Sequence, residues 1–167
     1  MTRQTGGLRA KKSGDAFEET LTKCVLEPLR RMGEVGRYDK LHPELKRLPS
    51  GAFWPVKDSG GDWILSSRGV YVAGEAKSCS EERFPRNKIP AHQQPHLEAA
   101  LQDGGLAFLF LRFTRQVIPI CYMIPWRKVP WRVLVSAQSV SPDECRAWAV
   151  FGVGDAKRIL IEERDGR

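Results

Sequence analysis

At 167 residues, 41% hydrophobic and 28% charged, the chain has the composition of one globular domain large enough to bury its own core. No run approaches ~18 apolar residues, which excludes a membrane span. Cysteines at 24, 79, 121 and 145, without CxxC or CxxH spacing, argue against a zinc site or a disulfide framework. The formal charge of +7 points to a polyanionic partner, most often nucleic acid, and a basic N-terminus with no apolar leader predicts residence in the cytoplasm.

Residues 1–12 carry Arg3, Arg9, Lys11 and Lys12 with no acid and contain Gly6-Gly7, so they read as a basic flexible arm ahead of a single domain over 13–167. Ser13 or Asp15 caps a helix from about Ala16 to Met32, in which Phe17, Leu21, Cys24, Val25 and Leu29 recur at helical spacing and Pro28 kinks or splits the rod. Glu18 lies in its first turn, where a carboxylate is most often a surface charge complementing the helix dipole. Val35 to Leu41 has the length of a short strand. The proline-rich, basic stretch from Pro43 to Val56 is too short for a second domain, so 38–57 reads as an excursion from the core.

A β-hairpin follows. Trp63-Ile64-Leu65 and Val70-Tyr71-Val72-Ala73 flank Ser67-Arg68-Gly69, where Gly69 supplies the positive φ of a tight turn. With Arg68-Gly69 as the loop, Ser67 pairs with Val70, Leu65 with Val72 and Asp62 with Glu75, which puts Asp62, Glu75 and Lys77 on one face. Two facing carboxylates destabilise a sheet unless a cation sits between them. That conflict, with an ammonium two residues on, predicts a divalent-metal seat.

Ser80 to Ile89 is a charged loop with Arg83, Arg86 and Lys88. Pro90 opens a second helix reaching about Gln102, its start near His92 because Pro95 must fall in the first turn, and Gly104-Gly105 stops it. Gln93, His96, Leu97, Ala100 and Leu101 fall on or near one face of it. Leu106 to Phe113 reads as a central strand covered on both sides, with Val117 to Ile124 as its antiparallel neighbour. Val133-Leu134-Val135 is a short strand or a helix start. Ser141-Pro142-Asp143-Glu144 has the form of a helix opening that leads into Cys145 to Val150, and Arg158 to Ile161 reads as a final strand. This order predicts an α/β fold, a mixed β-sheet flanked by helices.

Hydrolysing a phosphodiester requires neutralising the phosphate, generating hydroxide near neutral pH and stabilising the leaving oxygen. Asp62, Glu75 and the backbone carbonyl of Ala76 are the hard oxygen donors Mg²⁺ uses, and Lys77 is placed to orient water or stabilise the phosphorane. Arg9, Lys11 and Lys12 in the arm and Arg83, Arg86 and Lys88 in the loop are candidates to hold the DNA phosphates.

Glu18 on an early helix, Asp62-Trp63 and Glu75-Ala76-Lys77 resemble the PD-(D/E)xK nuclease superfamily. Together with Gly14, Phe17, Phe84-Pro85, His92-Gln93, His96-Leu97, Gly104-Gly105 and the strand from Ala107 to Phe113, they resemble the RecU-type Holliday junction resolvases over roughly residues 14–126, as a divergent or bacteriophage-encoded member. The resemblance implies a restriction-endonuclease-like sheet and a homodimeric, Mg²⁺-dependent endonuclease, with Mn²⁺ as substitute, that nicks four-way DNA junctions symmetrically. By position, Asp62 and Glu75 become metal ligands, Lys77 the catalytic lysine, Glu18 an accessory acid and Gln93 the residue that positions water or phosphate. His92 and His96 join the DNA-binding set, and part of 38–57 corresponds to a stalk. Two residues before the aspartate the family has a threonine, and this chain has Gly60. A different structure-specific or restriction-like nuclease on the same core, and a non-catalytic nucleic-acid-binding protein, are the competing classes.

Overall fold

The computed structural model of the protein describes residues 4–40, 44–47, 53–57, 62–134 and 136–166. α1 (Gln4–Leu21) opens the chain, well before the Ala16 expected, so the backbone from Gln4 to Lys12 is helical where an arm was expected. Leu8, Arg9, Ala10, Lys11 and Lys12 are good helix formers, and extending a nucleated helix past two glycines at ~1 kcal/mol each is far cheaper than starting one. A π-helical turn, Thr22–Leu26, separates α1 from α2 (Glu27–Arg31), which carries Pro28 in its first turn. Proline has no N–H for the carbonyl four residues back, so the expected split is taken up as a widened turn just before it.

β1 (Tyr38–Lys40), β2 (Glu44–Arg47), β3 (Phe53–Lys57), β4 (Trp63–Ser67), β5 (Val70–Cys79) and β6 (Phe84–Pro85) come next. They are followed by α3 (Gln94–Gln102), β7 (Leu106–Phe113), β8 (Cys121–Pro125), α4 (Pro130–Val133), β9 (Ser139–Val140), β10 (Ala149–Val150) and α5 (Val153–Asp165). The main sheet has the order β1-β4-β5-β7-β8-β10. β5 and β7 are parallel at its centre, and the other pairs are antiparallel. β2 and β3 pair only with each other, so the excursion leaves the sheet after β1 as a separate two-stranded ribbon. Its residues 41–43 and 48–52, and Gly60, lie outside the described ones.

Alternation along β7 divides the interior in two. Phe108 and Phe110 pack with Phe17, Leu21, Val25, Leu29, Ile159 and Leu160 under α1, α2 and α5, while Leu109 and Leu111 pack with Leu97, Ala100, Trp126 and Phe84 on the α3 side. A strand buried on both faces is apolar throughout, which is why Leu106 to Leu111 reads as an unbroken run ahead of the half-buried Arg112. Among the described residues no helix is long and apolar enough to cross a membrane.

The C-terminal expectations need correction. Ser141 and Glu144 do form reciprocal hydrogen bonds, Ser141 Oγ to Glu144 Oε2 at 2.9 Å and Glu144 N to Ser141 Oγ at 3.4 Å. They close a turn that leads through a 3-10 turn, Arg146–Trp148, into β10 instead of opening a helix. The helix lies further on as α5, where a strand was expected at 158–161. Its buried positions Ala156, Ile159, Leu160 and Glu163 recur at helical spacing, and Asp155 Oδ2 caps it by accepting the N–H of Gly152 at 3.2 Å. Within 133–135, Val133 closes the short α4 and Val135 lies outside the described residues.

Gly105 links α3 to β7 where two backbones nearly touch. A Cβ there would stand 2.7 Å from both Ala100 O and Tyr71 O, atoms that cannot rotate away. Gly105→Ala is expected to destabilise the protein by about 1–3 kcal/mol in chemical denaturation, the usual cost of overpacking.

Candidate active site

The site is built on the open end of the β4–β5 hairpin. Arg68 and Gly69 turn the chain at φ of 48° and 84°, so Ser67 pairs with Val70, Leu65 with Val72 and Trp63 with Gly74, the register a two-residue loop imposes. One step further, Asp62 lies opposite Glu75 but leaves the ladder. Its N–H donates to Gly74 O at 3.0 Å, and its Oδ2 accepts the N–H of Ala76 at 2.7 Å. β5 runs on to Cys79, and within the described residues β4 stops opposite Gly74. The N–H and C=O of one residue in a strand point to the same side. Ala76, whose N–H reaches Asp62, therefore turns its carbonyl to this open edge as well.

Glu75 and Lys77 alternate onto the face of β5 that also carries Ala73 and Cys79, the face α3 covers. Glu75 is wholly buried. Its Oε1 is ion-paired with the Lys77 ammonium, and its Oε2 has no hydrogen-bond donor among the described residues. Burial pushes the Glu75 carboxyl up to about 8, opposed by Lys77 and reinforced by the Asp62 charge. A buried carboxyl beside a second carboxylate and an outward backbone carbonyl is a hard-oxygen donor set in which Lys77 pairs with only one carboxyl oxygen of Glu75. It fits a small divalent cation that keeps several of its own waters, as Mg²⁺ does. Among the described residues no three His, Cys, Asp or Glu side chains converge, so the protein would supply few ligands.

Gln93 sits just before α3, nearly buried, with Oε1 lacking a partner among the described residues. α3 packs Leu97 and Ala100 with Ala73 of β5, so Gln93 approaches the sheet from the same side as Glu75 and Lys77. Glu18 approaches from the other side, on α1 next to the buried Phe17. Its carboxylate is ion-paired with Lys40 of β1. Lys40 registers opposite Trp63, the residue after Asp62. Sequence reasoning passed over Lys40; the available signal was its place in a short strand that had to pair with the strand after Asp62.

The basic candidates divide. Arg83 donates to Glu144 Oε2 at 2.8 Å and to Ser139 Oγ at 2.8 Å, and Lys88 pairs with Glu81 at 2.5 Å. Arg86 and His92 are exposed. His96 lies against Tyr71, Nε2 to OH 3.5 Å, and burial lowers its pKa, so it offers a neutral ring near pH 7. The side chains of Arg9, Lys11 and Lys12 lie outside the described ones.

The family model described as recombination protein U, RecU, matches residues 52–138, just over half of the chain. The Holliday junction resolvase RecU of Staphylococcus aureus strain JH9 is 33% identical over 84 residues, and that of strain MRSA252 is 32% identical over 84 residues. The matched stretch covers 47% of this chain but only 39% of each relative's length. Among solved structures, Hjc, a Holliday junction resolvase of Archaeoglobus fulgidus, superposes with a TM-score of 0.52 at 13% identity, over 86% of this chain and 98% of that one. At that identity the likeness is one of fold, and it agrees with the restriction-endonuclease-like sheet expected.

Proposed function

This chain belongs to the recombination protein U family, and from that premise we propose that it is a divalent-metal-dependent endonuclease of the cytoplasm that cuts four-way DNA junctions as a homodimer. The observation that carries this reading is Glu75, a wholly buried carboxyl group with one unpartnered oxygen, beside Asp62 and ion-paired to Lys77. No packing requirement calls for such a group there, and it is costly to ionise. Asp62, Glu75 and the Ala76 carbonyl would hold Mg²⁺, or Mn²⁺ in its place. Bound there, such a cation would lower the pKa of a water and offset charge on the scissile phosphate.

The remaining steps belong to the chain's own groups. Lys77, ion-paired with Glu75 in this structure, orients the attacking water or offsets charge on the phosphate oxygens with its ammonium. Gln93 accepts a hydrogen bond from that water through Oε1 and so aims it. Glu18 acts as an accessory acid at the rim. Arg83, Arg86, Lys88, His92 and His96, with Arg9, Lys11 and Lys12 of the N-terminal stretch, hold the phosphates that flank the cut. The β2–β3 ribbon within 38–57 projects into the junction centre. Two sites related by a two-fold axis match the two-fold symmetry of a junction cut in two strands.

The test is a labelled synthetic four-way junction beside a matched duplex and a flap, each with Mg²⁺ or with chelator. Paired nicks confined to the junction and to the Mg²⁺ lanes are expected. Equal cutting of duplex and junction would favour a general nuclease, and cutting in chelator would remove the metal.

A further inference from the structure

The acids of the site are accompanied by two ammonium groups, and only Lys77 has a part in the reaction described. The second is Lys40. It stands opposite Trp63 in the β1–β4 ladder, one residue from Asp62, and its ammonium is ion-paired with Glu18 of α1. Glu18 is only 17% exposed and Lys40 41%, so this is a partly sheltered pair, unlike the freely solvated pair of Glu19 with Lys23 in the π-helical turn, at 64% and 69%. Asp15 and Asp62 add their charge to that of Glu18, and together the three hold the Lys40 ammonium protonated against its partial burial. α1 covers one face of β5, and Glu75 with Lys77 occupies the other. The Glu18–Lys40 contact therefore ties the first helix to the hairpin edge on which Asp62 is mounted.

Resting on the metal-site reading above, we propose that Lys40 is a positioning residue: its ammonium holds the Glu18 carboxylate at the rim beside Asp62 and limits how tightly the acid cluster binds the cation. The two effects have opposite signs when the charge is removed. A dication meets less repulsion without Lys40, so it binds more tightly. Glu18 loses the partner that fixes its rotamer, so the reaction slows. An ordinary structural ion pair would not separate the two, because loosening the fold weakens binding and turnover alike.

Wild type, Lys40→Met and Lys40→Arg are titrated with Mn²⁺ by calorimetry in the absence of DNA, then assayed for single-turnover cutting of a four-way junction at saturating Mn²⁺. Lys40→Met should bind Mn²⁺ severalfold more tightly yet cut about ten- to a hundredfold more slowly, the usual scale for losing an outer-shell partner. Lys40→Arg keeps the charge and should stay close to wild type in both. Adding Lys40→Met to Glu18→Gln should slow cutting no further, since the two act as one unit. Unchanged or weaker Mn²⁺ binding by Lys40→Met overturns the proposal, and so does a full additional loss in the double variant. A wild type that binds Mn²⁺ but cuts no junction refutes the junction-cutting reading instead, and the calorimetric comparison still decides the role of Lys40.

Discussion

Asp62→Asn and Glu75→Gln will fold as well as the wild type, bind a four-way junction, and cut it at least roughly a thousandfold more slowly, the scale reached when a group stabilising developing charge is removed. Both substitutions keep the shape of the side chain they replace. Asp62→Asn retains an oxygen able to accept the Ala76 N–H that Asp62 now accepts at 2.7 Å, so the hairpin edge keeps its closing hydrogen bond. Glu75→Gln keeps an acceptor for Lys77 and removes a group whose ionised form is costly in a wholly buried position. Thermal unfolding should therefore show an unchanged or raised midpoint for Glu75→Gln. Stability held or gained while cutting disappears is the signature of a group kept for chemistry at the expense of the fold. Either variant cutting at the normal rate would remove the metal seat.

How much of this was legible in the sequence follows from where the constraints lie. The β4–β5 register could be counted from one turn, because Arg68-Gly69 fixes it and side chains alternate strictly, so Trp63–Gly74 and the Asp62–Glu75 juxtaposition followed. β7 was legible because Leu106 to Leu111, buried on both faces, has no polar position, and the first charge, Arg112, comes only where burial relaxes near the strand's end. The start of α1 was not, because glycines mark a weak helix without saying whether packing overrides them. The C-terminal error had another origin. Ser141 to Glu144 forms the local bonds of a helix start, and those bonds serve a closed turn equally well. Ala156, Ile159 and Leu160 carried a helical period, yet Arg158 to Ile161 alone has the look of a short strand. At the site, residue types were readable and partners were not. Glu18 with Lys40, and Arg83 with Glu144, are pairings between distant elements that only the fold brings together.

The protein will show a metal response that grows with pH through the window set by Glu75. In the unfolded chain this carboxyl has its ordinary pKa of 4.5, and in the folded protein burial raises it to about 8. Below 4.5 both states hold the proton and Glu75 adds no pH dependence. Between those values the folded state holds a proton that the unfolded state has released, so this group's contribution to stability falls as pH rises, and it levels off above about 8. A divalent cation needs the carboxylate and must expel that proton, so its apparent affinity climbs by up to ~tenfold per pH unit below the raised pKa and flattens above it. At one fixed Mg²⁺ concentration, the rise in unfolding midpoint over a chelator control should be larger near pH 9 than near pH 6. Junction cutting should increase through the same window, as the Glu75 carboxylate becomes available to the cation. In Glu75→Gln the metal-induced rise should be small at both pH values. An equal Mg²⁺ response at both pH values in the wild type would mean that the cation does not compete with the Glu75 proton, and Asp62 with the Ala76 carbonyl would then have to hold it alone.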